Sequence, residues 1–122
     1  MSNTYSYKAH ILRVVDGDTI DVLLDLGFNI KLKERIRLSG IDAPETRTRD
    51  LVEKQKGLAA KEWLENHTSD WGTPSDDLEI VIVTEEFNPT GKFGRVLGRL
   101  FVNGVDVNQM MLNMKLVKEY RK

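Results

Sequence analysis

Hydrophobic and polar residues alternate along positions 9–38 in a pattern that predicts three β-strands. The runs 9–15 and 19–26 are rich in β-branched residues, and Asp16-Gly17-Asp18 between them is typical of a tight turn. Over 30–38, hydrophobic and basic side chains take opposite faces, with Ile30, Leu32, Ile36 and Leu38 on one and Lys31, Lys33, Arg35 and Arg37 on the other. We therefore expect an opening hairpin followed by a strand with one buried and one basic face.

The alternation breaks after Leu38, where the composition predicts a loop and then a helix. The segment Ser-Gly-Ile-Asp-Ala-Pro-Glu-Thr is loop-like, and Pro44 disfavours a central strand. Asp50 and Glu53 form a capping-box pattern, which predicts a helix from about Leu51 to Asn66. The hydrophobic residues expected to pack this helix on the sheet are Leu51, Val52, Leu58, Ala59 and Trp63.

The second half of the chain predicts two further strands and a short helix. In order, we expect a loop over 67–77, a strand over 78–85, a turn at 88–91, a strand over about 94–102 and a hairpin turn at Asn103-Gly104. Asp106 can cap a short helix that carries Val107, Met110, Met111 and Met114, and 115–122 is expected to be a basic tail. Five strands with a helix between the third and fourth predict one α+β domain over 1–122, a five-stranded OB-fold barrel with a short C-terminal helix.

Composition narrows the chemistry that this barrel can carry. The 122 residues contain no cysteine and two histidines, which excludes thiol catalysis and cysteine zinc sites, so a metal would bind mainly to oxygen atoms. No apolar run approaches the roughly 20 residues of a membrane-spanning helix, and no signal peptide is visible. We expect a monomeric protein without a membrane partner that is cytoplasmic, or secreted if a signal peptide has been removed.

The net charge of −1 hides an uneven distribution of charge along the chain. It arises from 18 Lys and Arg against 19 Asp and Glu, yet the segment 62–86 holds eight acidic residues and no Lys or Arg. The remaining positions are therefore strongly basic. This asymmetry predicts a polarised surface on which a basic face is available to a polyanion.

Reactive side chains are concentrated near the ends of the predicted strands. Asp18 shares the inward parity of Ile20, and Asp42 is assigned the inward parity of the preceding strand, so two carboxylates could converge at one barrel mouth and bind Ca²⁺, or less specifically Mg²⁺. Arg37 and Arg95 have the planar fork that suits a phosphate, and Glu45 could act as a general base. Each residue alone also fits a plainer role, as a turn aspartate, a surface arginine or a loop carboxylate.

Three ordered motifs resemble the staphylococcal nuclease (thermonuclease) family. They are Val15-Asp16-Gly17-Asp18-Thr19, Arg37 with Asp42-Ala43-Pro44-Glu45-Thr46, and Lys92-Phe93-Gly94-Arg95. The likeness runs from about His10 to Tyr120. It implies an OB barrel and a Ca²⁺-dependent nuclease that hydrolyses DNA and RNA by in-line attack of water, with 3′-phosphate and 5′-hydroxyl products.

The resemblance also implies a role for each matching residue. Asp18 and Asp42 would ligate Ca²⁺, with Mg²⁺ or Mn²⁺ as similar ions, and Ala43 would add its backbone carbonyl. Glu45 would be the general base. The arginines that bind the scissile phosphate would be Arg37 and Arg95, and the side chains on the substrate side would be Lys92, Phe93 and Tyr120. Phe93 replaces a tyrosine of the best-known member, which removes a hydroxyl from this set.

Two readings without catalysis compete with the nuclease. One is an OB-fold module that binds single-stranded nucleic acid through a basic groove and aromatic stacking, although the chain has only nine aromatic residues. The other is a protein-interaction barrel. A barrel of that kind has no need for two aspartates, a glutamate and two arginines at the matching positions.

Overall fold

The computed structural model of the chain describes residues 5–68, 79–87 and 96–120. Positions 69–77 of the loop predicted over 67–77, the turn at 88–91 and the start of the strand at 94–95 lie outside these ranges. In chain order the elements are β1 (Tyr5–Asp16), β2 (Thr19–Asp25), β3 (Lys31–Leu38), β4 (Ile41–Asp42), α1 (Leu51–Thr68), β5 (Ile80–Phe87), β6 (Val96–Val102), β7 (Val105–Asp106), α2 (Val107–Asn113) and β8 (Lys118–Glu119).

Five long strands form a closed barrel. The strands β3, β2, β1, β5 and β6 are successive antiparallel neighbours, and β6 also pairs in parallel with residues 36–38 of β3. This parallel pairing joins the two outer strands and closes the sheet. The helix α1 follows the third barrel strand and precedes the fourth, so the predicted α+β class and five-stranded OB-type barrel are confirmed.

Alternate residues of the strands fill the barrel. The strand β2 shows the pattern most clearly, because Ile20, Val22 and Leu24 are buried and the residues between them are partly exposed. The strand β6 repeats this alternation. These apolar side chains point into one shared interior, and their removal from water stabilises the barrel.

The prediction for β3 is correct at its end and wrong at its beginning. Ile36 and Leu38 are fully buried, whereas the side chains of Ile30 and Leu32 are 54% and 43% exposed. The strand β6 pairs with β3 only over 36–38, so no opposing strand covers the inner face of the earlier part. The hairpin of β2 and β3 therefore projects beyond the barrel.

The helix α1 is buried on a different face from most of its predicted hydrophobic stripe, of which Trp63 does pack against the core. Its buried positions are Gly57, Ala60, Leu64 and Thr68, while Leu51, Val52 and Leu58 are exposed. A Cβ atom at Gly57 would lie 2.7 Å from the carbonyl oxygens of Pro44 and Glu45, so only glycine allows this close approach. The helix also runs to Thr68, which places His67 within it.

The C-terminal part of the chain folds back onto the loop that follows β3. The strand β8 pairs with β4, so the predicted loop contains a short strand. The predicted basic tail is therefore not free over its described part, 115–120. Val117 is buried just before β8. The predictions for α2 and its turn are confirmed, because Asp106 accepts a hydrogen bond from the Gln109 backbone N–H and Asn103-Gly104 joins β6 to β7.

Asn108 joins α2 to the barrel through buried hydrogen bonds. Its Oδ1 accepts from the Leu100 backbone N–H at 3.1 Å, and its Nδ2 donates to the Ser39 carbonyl at 2.9 Å. Replacing Asn108 by alanine removes the partner of the buried Leu100 N–H and of the partly buried Ser39 carbonyl, so the free energy of unfolding in urea should fall by about 3 kcal/mol. Asn113→Ala removes an exposed amide from the same helix and should change it by less than about 0.5 kcal/mol. Equal losses in both variants would contradict this role for Asn108.

Candidate active site

Four segments meet at one mouth of the barrel. They are the turn between β1 and β2, the end of β3, the strand β4 and the loop 43–46. The Leu38 backbone N–H donates to the Asp18 carbonyl at 2.7 Å, which fastens the turn to the end of β3. The residues predicted to carry chemistry on these segments therefore lie on elements that are joined by backbone hydrogen bonds.

Arg37 occupies the centre of this mouth. Its Nη1 lies 3.3 Å from Asp18 Oδ2, and its Nη2 lies 3.6 Å from Asp42 Oδ1. The side chains of Arg37 and Asp18 are each 13% exposed, and that of Asp42 is 54% exposed. The guanidinium also donates to the carbonyls of Leu38 and Ile41, at 3.2 and 3.0 Å. One planar cation is thus held in place between two carboxylates.

Asp18 has the predicted direction and Asp42 does not. The carboxylate of Asp18 accepts hydrogen bonds from the Ala43 backbone N–H and the Thr19 hydroxyl, each at 2.9 Å, which brings Ala43 beside it. Asp42 points outward because Ile41 takes the buried position in β4. Gly40, with φ of +76°, turns the chain between β3 and β4 and resets the alternation that was extended from β3.

Tyr120 lies against the same arginine. Its ring centroid is 5.5 Å from Arg37 Cζ, a cation–π distance. The pairing of β8 with β4 carries Tyr120 to this position, and its backbone N–H donates to the Gly40 carbonyl at 3.0 Å. Of the side chains predicted on the substrate side, Tyr120 is therefore placed at the mouth, whereas Lys92, Phe93 and the predicted phosphate ligand Arg95 lie outside the described residues.

Glu45 is exposed on a loop that is fixed from both sides. The hydroxyl of Thr46 donates to Asp16 Oδ1 at 2.8 Å, and Gly57 of α1 packs directly beneath the Glu45 carbonyl. Glu45 and Arg37 line the same cleft, which has a volume of about 810 Å³. The cleft thus contains a carboxylate and a guanidinium on rigid supports.

Basic side chains dominate the lining of this cleft. Its charged residues are five cations, Arg13, Arg35, Arg37, Arg47 and Lys61, and two carboxylates, Asp16 and Glu45. Such a lining attracts a polyanion. Of these residues the sequence predicts only Arg37 and Glu45 as catalytic, whereas it places Arg35 on the basic face of β3. Lys61 could have been found from its position four residues after Gly57, on the side of α1 that faces the loop.

Arg35 is held toward the cleft by Asp21. Its Nε donates to Asp21 Oδ1 at 2.8 Å and its Nη2 to Asp21 Oδ2 at 3.2 Å. These hydrogen bonds hold the pKa of the Asp21 carboxyl below its ordinary value and raise that of the Arg35 guanidinium. The pair therefore stays ionised at neutral pH, and Arg35 remains a fixed positive charge beside Arg37.

The donor atoms around Arg37 fit a hard divalent cation. In the described part of the chain, no three His, Asp or Glu side chains form a metal-binding group. Two carboxylates are nevertheless available on Asp18 and Asp42, and their contacts with the same guanidinium bring them to one place. Carboxylate, carbonyl and water oxygens are the ligands that Ca²⁺ takes.

Comparison with known proteins gives a consistent family. A family model described as "Staphylococcal nuclease homologue" matches residues 35–120. A thermonuclease of Staphylococcus intermedius is 30% identical over 109 residues, which is 89% of this chain and 54% of that protein. An uncharacterized endonuclease of Escherichia coli is 30% identical over 84% of this chain and 54% of its own length.

A further relative has no described function. It is an uncharacterized protein of Bacillus anthracis, 30% identical over 85% of this chain and 43% of its own length. The chain thus spans about half the length of the curated relatives it matches. No helix in the described part of the chain is long and apolar enough to cross a membrane.

Proposed function

The chain belongs to the staphylococcal nuclease homologue family, and on this premise we propose that it is a metal-dependent nuclease that hydrolyses phosphodiester bonds of DNA and RNA. The observation that carries the proposal is the position of Arg37, which contacts Asp18 and Asp42 and lines a cationic cleft together with Glu45. Phosphate recognition, metal binding and proton transfer each have a suitable group within this one mouth.

The two aspartates and the Ala43 carbonyl would hold the metal. Ca²⁺ is the proposed ion, with Mg²⁺ and Mn²⁺ as alternatives that accept the same oxygen ligands. When bound, the ion supplies a Lewis acid beside the scissile phosphate. Asp18 is oriented for this role by its hydrogen bonds from Ala43 and Thr19.

Glu45 serves as the general base. A water molecule in the cleft attacks phosphorus in line with the 5′ oxygen, and Glu45 takes the proton of that water as the new P–O bond forms. The bond from phosphorus to the 5′ oxygen breaks, and the 5′ oxygen takes a proton from solvent. The products are a 3′-phosphate and a 5′-hydroxyl. The Thr46–Asp16 hydrogen bond and Gly57 keep Glu45 on the cleft side of its loop.

The arginines stabilise the charge that develops on the equatorial oxygens. Each prearranged donor at such a position contributes roughly 10²–10³-fold to the rate. Arg37 is prearranged by two carbonyls and two carboxylates. We assign Arg95 the second phosphate contact, and we assign contacts with the substrate beyond the scissile phosphate to Lys92, Phe93 and Tyr120.

Metal dependence is the direct test of this function. The purified chain should cleave single-stranded DNA, duplex DNA or RNA when Ca²⁺ is present and should stop when a chelator is added, because the Lewis acid is then lost. Parallel reactions with Mg²⁺ and Mn²⁺ identify the preferred ion. Gel electrophoresis follows cleavage, and phosphate release from the 3′ ends by a phosphatase identifies the products.

Two results would contradict the proposal in different ways. Cleavage that continues at full rate in the chelator would remove the metal from the mechanism. Binding of single strands without cleavage under any of the metals would instead support the non-catalytic OB-fold module.

A further inference from the structure

A row of four cations follows the exposed face of β3. Lys31, Lys33, Arg35 and Arg37 occupy every second position, on the face opposite to Ile36 and Leu38, which are buried in the barrel. Since a strand rises about 3.4 Å per residue, neighbouring cations are roughly 6.8 Å apart and the row is about 20 Å long. It begins at the projecting hairpin and ends at the cleft, which Arg35 and Arg37 line.

The neighbouring strands leave this face positively charged. Asp21 pairs with Arg35, and Asp25 pairs with Lys31 at 3.3 Å. The Gly27 backbone N–H and the Lys31 ammonium hold the pKa of the Asp25 carboxyl below its ordinary value. Lys33 has no ion pair within the described residues. The three cations Lys31, Lys33 and Arg35 therefore exceed these two carboxylates by one positive charge. Arg37, at the end of the row, is paired with Asp18 and Asp42 of the mouth.

An aromatic ring lies at the outer end of the row. The side chain of Phe28 is 97% exposed, and its backbone has a φ of +54°. Gly27 and Asn29 also have positive φ, a conformation that suits glycine and asparagine but not phenylalanine. The turn therefore has no conformational need for an aromatic residue. An exposed ring next to a row of cations is the arrangement on which bases of single strands stack.

We propose that Phe28, Lys31, Lys33 and Arg35 form a binding track, the β3 track, for an extended single strand of nucleic acid that continues into the cleft at Arg37. The proposal rests on the proposed function, since it extends the same substrate beyond the site of cleavage. Phosphates of a B-form duplex strand follow one another at roughly 3.4 Å along the axis, about half the cation spacing. An unstacked single strand can lengthen to match the cations, so the β3 track favours single strands.

Salt dependence of binding tests the β3 track without any cleavage. The chain carrying Glu45→Gln, in chelator, is titrated with a labelled oligodeoxythymidine of about 12 nucleotides at roughly 50 to 200 mM salt, and fluorescence anisotropy gives the affinity. Adding Lys31→Gln and Lys33→Gln removes two phosphate contacts. The slope of log affinity against log salt should become shallower by about 1.4. Phe28→Ala should weaken binding about tenfold with little change in slope.

A matched double variant controls for the loss of charge itself. Lys56 and Lys115 are exposed and lie neither on β3 nor in the lining of the cleft. Lys56→Gln with Lys115→Gln should leave the slope near that of the parent. An equal change in both double variants, or equal affinity for a blunt duplex of the same length, would overturn the β3 track. The β3 track would also be overturned if Phe28→Ala and the lysine changes left the affinity for the oligonucleotide unchanged. If Phe28→Ala then weakened binding to phosphatidylserine vesicles, the same surface would bind a membrane instead.

Cleavage rates separate failure of the β3 track from failure of the proposed function. With Glu45 intact, a thymidine dinucleotide is too short to reach Lys33 from the cleft. Lys31→Gln with Lys33→Gln should therefore lower the ratio of kcat/KM for the longer oligonucleotide to kcat/KM for the dinucleotide by about tenfold. An unchanged ratio in an active enzyme overturns the β3 track alone. An inactive parent whose binding shows the expected slopes overturns the nuclease alone.

Discussion

Replacing Arg37 by alanine should lower kcat/KM for DNA cleavage by about 10³-fold or more and leave the barrel folded. The loss follows from the position of the guanidinium, which is fixed by two backbone carbonyls and faces both carboxylates of the proposed metal site. Steady-state kinetics on single-stranded DNA measure the change. Circular dichroism and urea unfolding show whether the fold is kept.

Two further variants distinguish a bound phosphate from general attraction. Arg37→Lys should recover only part of the activity, because an ammonium cannot present separate nitrogens to Asp18 and Asp42. Lys61→Gln removes a charge from the same cleft and should lower kcat/KM by less than about tenfold. If Arg37→Ala also stayed within tenfold of the parent, the phosphate contact would have been assigned to the wrong residue.

Calcium titration of Arg37→Ala distinguishes a catalytic role of Arg37 from a structural role in holding the two aspartates. In the structure the guanidinium lies between the two carboxylates and therefore competes with a second cation there. Calorimetry should show Ca²⁺ binding that is at least as tight in the variant as in the parent. Weaker binding would mean that Arg37 holds the aspartates in place and would turn it into a positioning residue.

The barrel was predictable from sequence wherever two faces of a strand meet different surroundings. The buried residues Ile20, Val22 and Leu24 alternate with partly exposed residues because one sheet separates the interior of a closed barrel from the solvent. The strand β3 shows the same alternation in its sequence as far as Leu32, but β6 does not cover that part of the strand, so Leu32 is exposed. Alternation in the sequence predicts which side chains of a strand face the interior. How many of them are buried depends on the length of the strand that covers them.

The buried face of the helix α1 was not predictable from the hydrophobic pattern. Leu51, Val52 and Leu58 of the predicted face are exposed. The helix is buried instead mainly at Gly57, Ala60 and Leu64. A glycine is weak evidence for a buried face in any hydrophobicity pattern. Here it is required, because two carbonyls of the loop that carries Glu45 lie against it. The need for close approach is a property of the tertiary structure and leaves little signal in the sequence.

The site itself was predictable in residue type more than in geometry. The ordered motifs named Asp18, Arg37, Asp42 and Glu45, and the structure brings the first three together in a single ion-paired cluster beside the cleft that Arg37 shares with Glu45. The direction of Asp42 depends on the turn at Gly40, because the alternation of β3 does not continue through that turn. Tyr120 reaches Arg37 only because β8 pairs with β4, a long-range contact with no local signature.

The uneven charge of the chain has a counterpart in the described structure. The cleft gathers five cations from β1, β3, α1 and the loop 43–49, whereas the acidic Glu62 and Glu79 are exposed outside its lining. A net charge of −1 is thus compatible with a polyanionic substrate. The distribution of charge, rather than its sum, determines where a phosphate backbone is attracted.

Glu45→Gln should lower kcat by about 10²–10⁴-fold with little change in KM or in the free energy of unfolding. The amide keeps the size of the side chain and cannot take a proton from water. Because Glu45 is exposed and its loop is held through Thr46 and Gly57, the change removes the base without disturbing its support. Single-turnover cleavage of a labelled single strand, with saturating Ca²⁺, measures the chemical step directly.

The matched control for this change is Glu62→Gln, which alters an exposed carboxylate of α1 outside the cleft and should keep the parental rate. Glu45→Asp retains the carboxylate but shortens the side chain by one methylene, and the fixed loop cannot move to compensate. The rate of this variant should therefore lie between those of the parent and the glutamine variant. A glutamine variant within tenfold of the parent would exclude Glu45 as the base and leave water activation to the metal. Full loss of cleavage with unchanged binding of the strand would instead separate catalysis from recognition, since the cations of the cleft and of the β3 track hold the substrate whether or not its bond is broken.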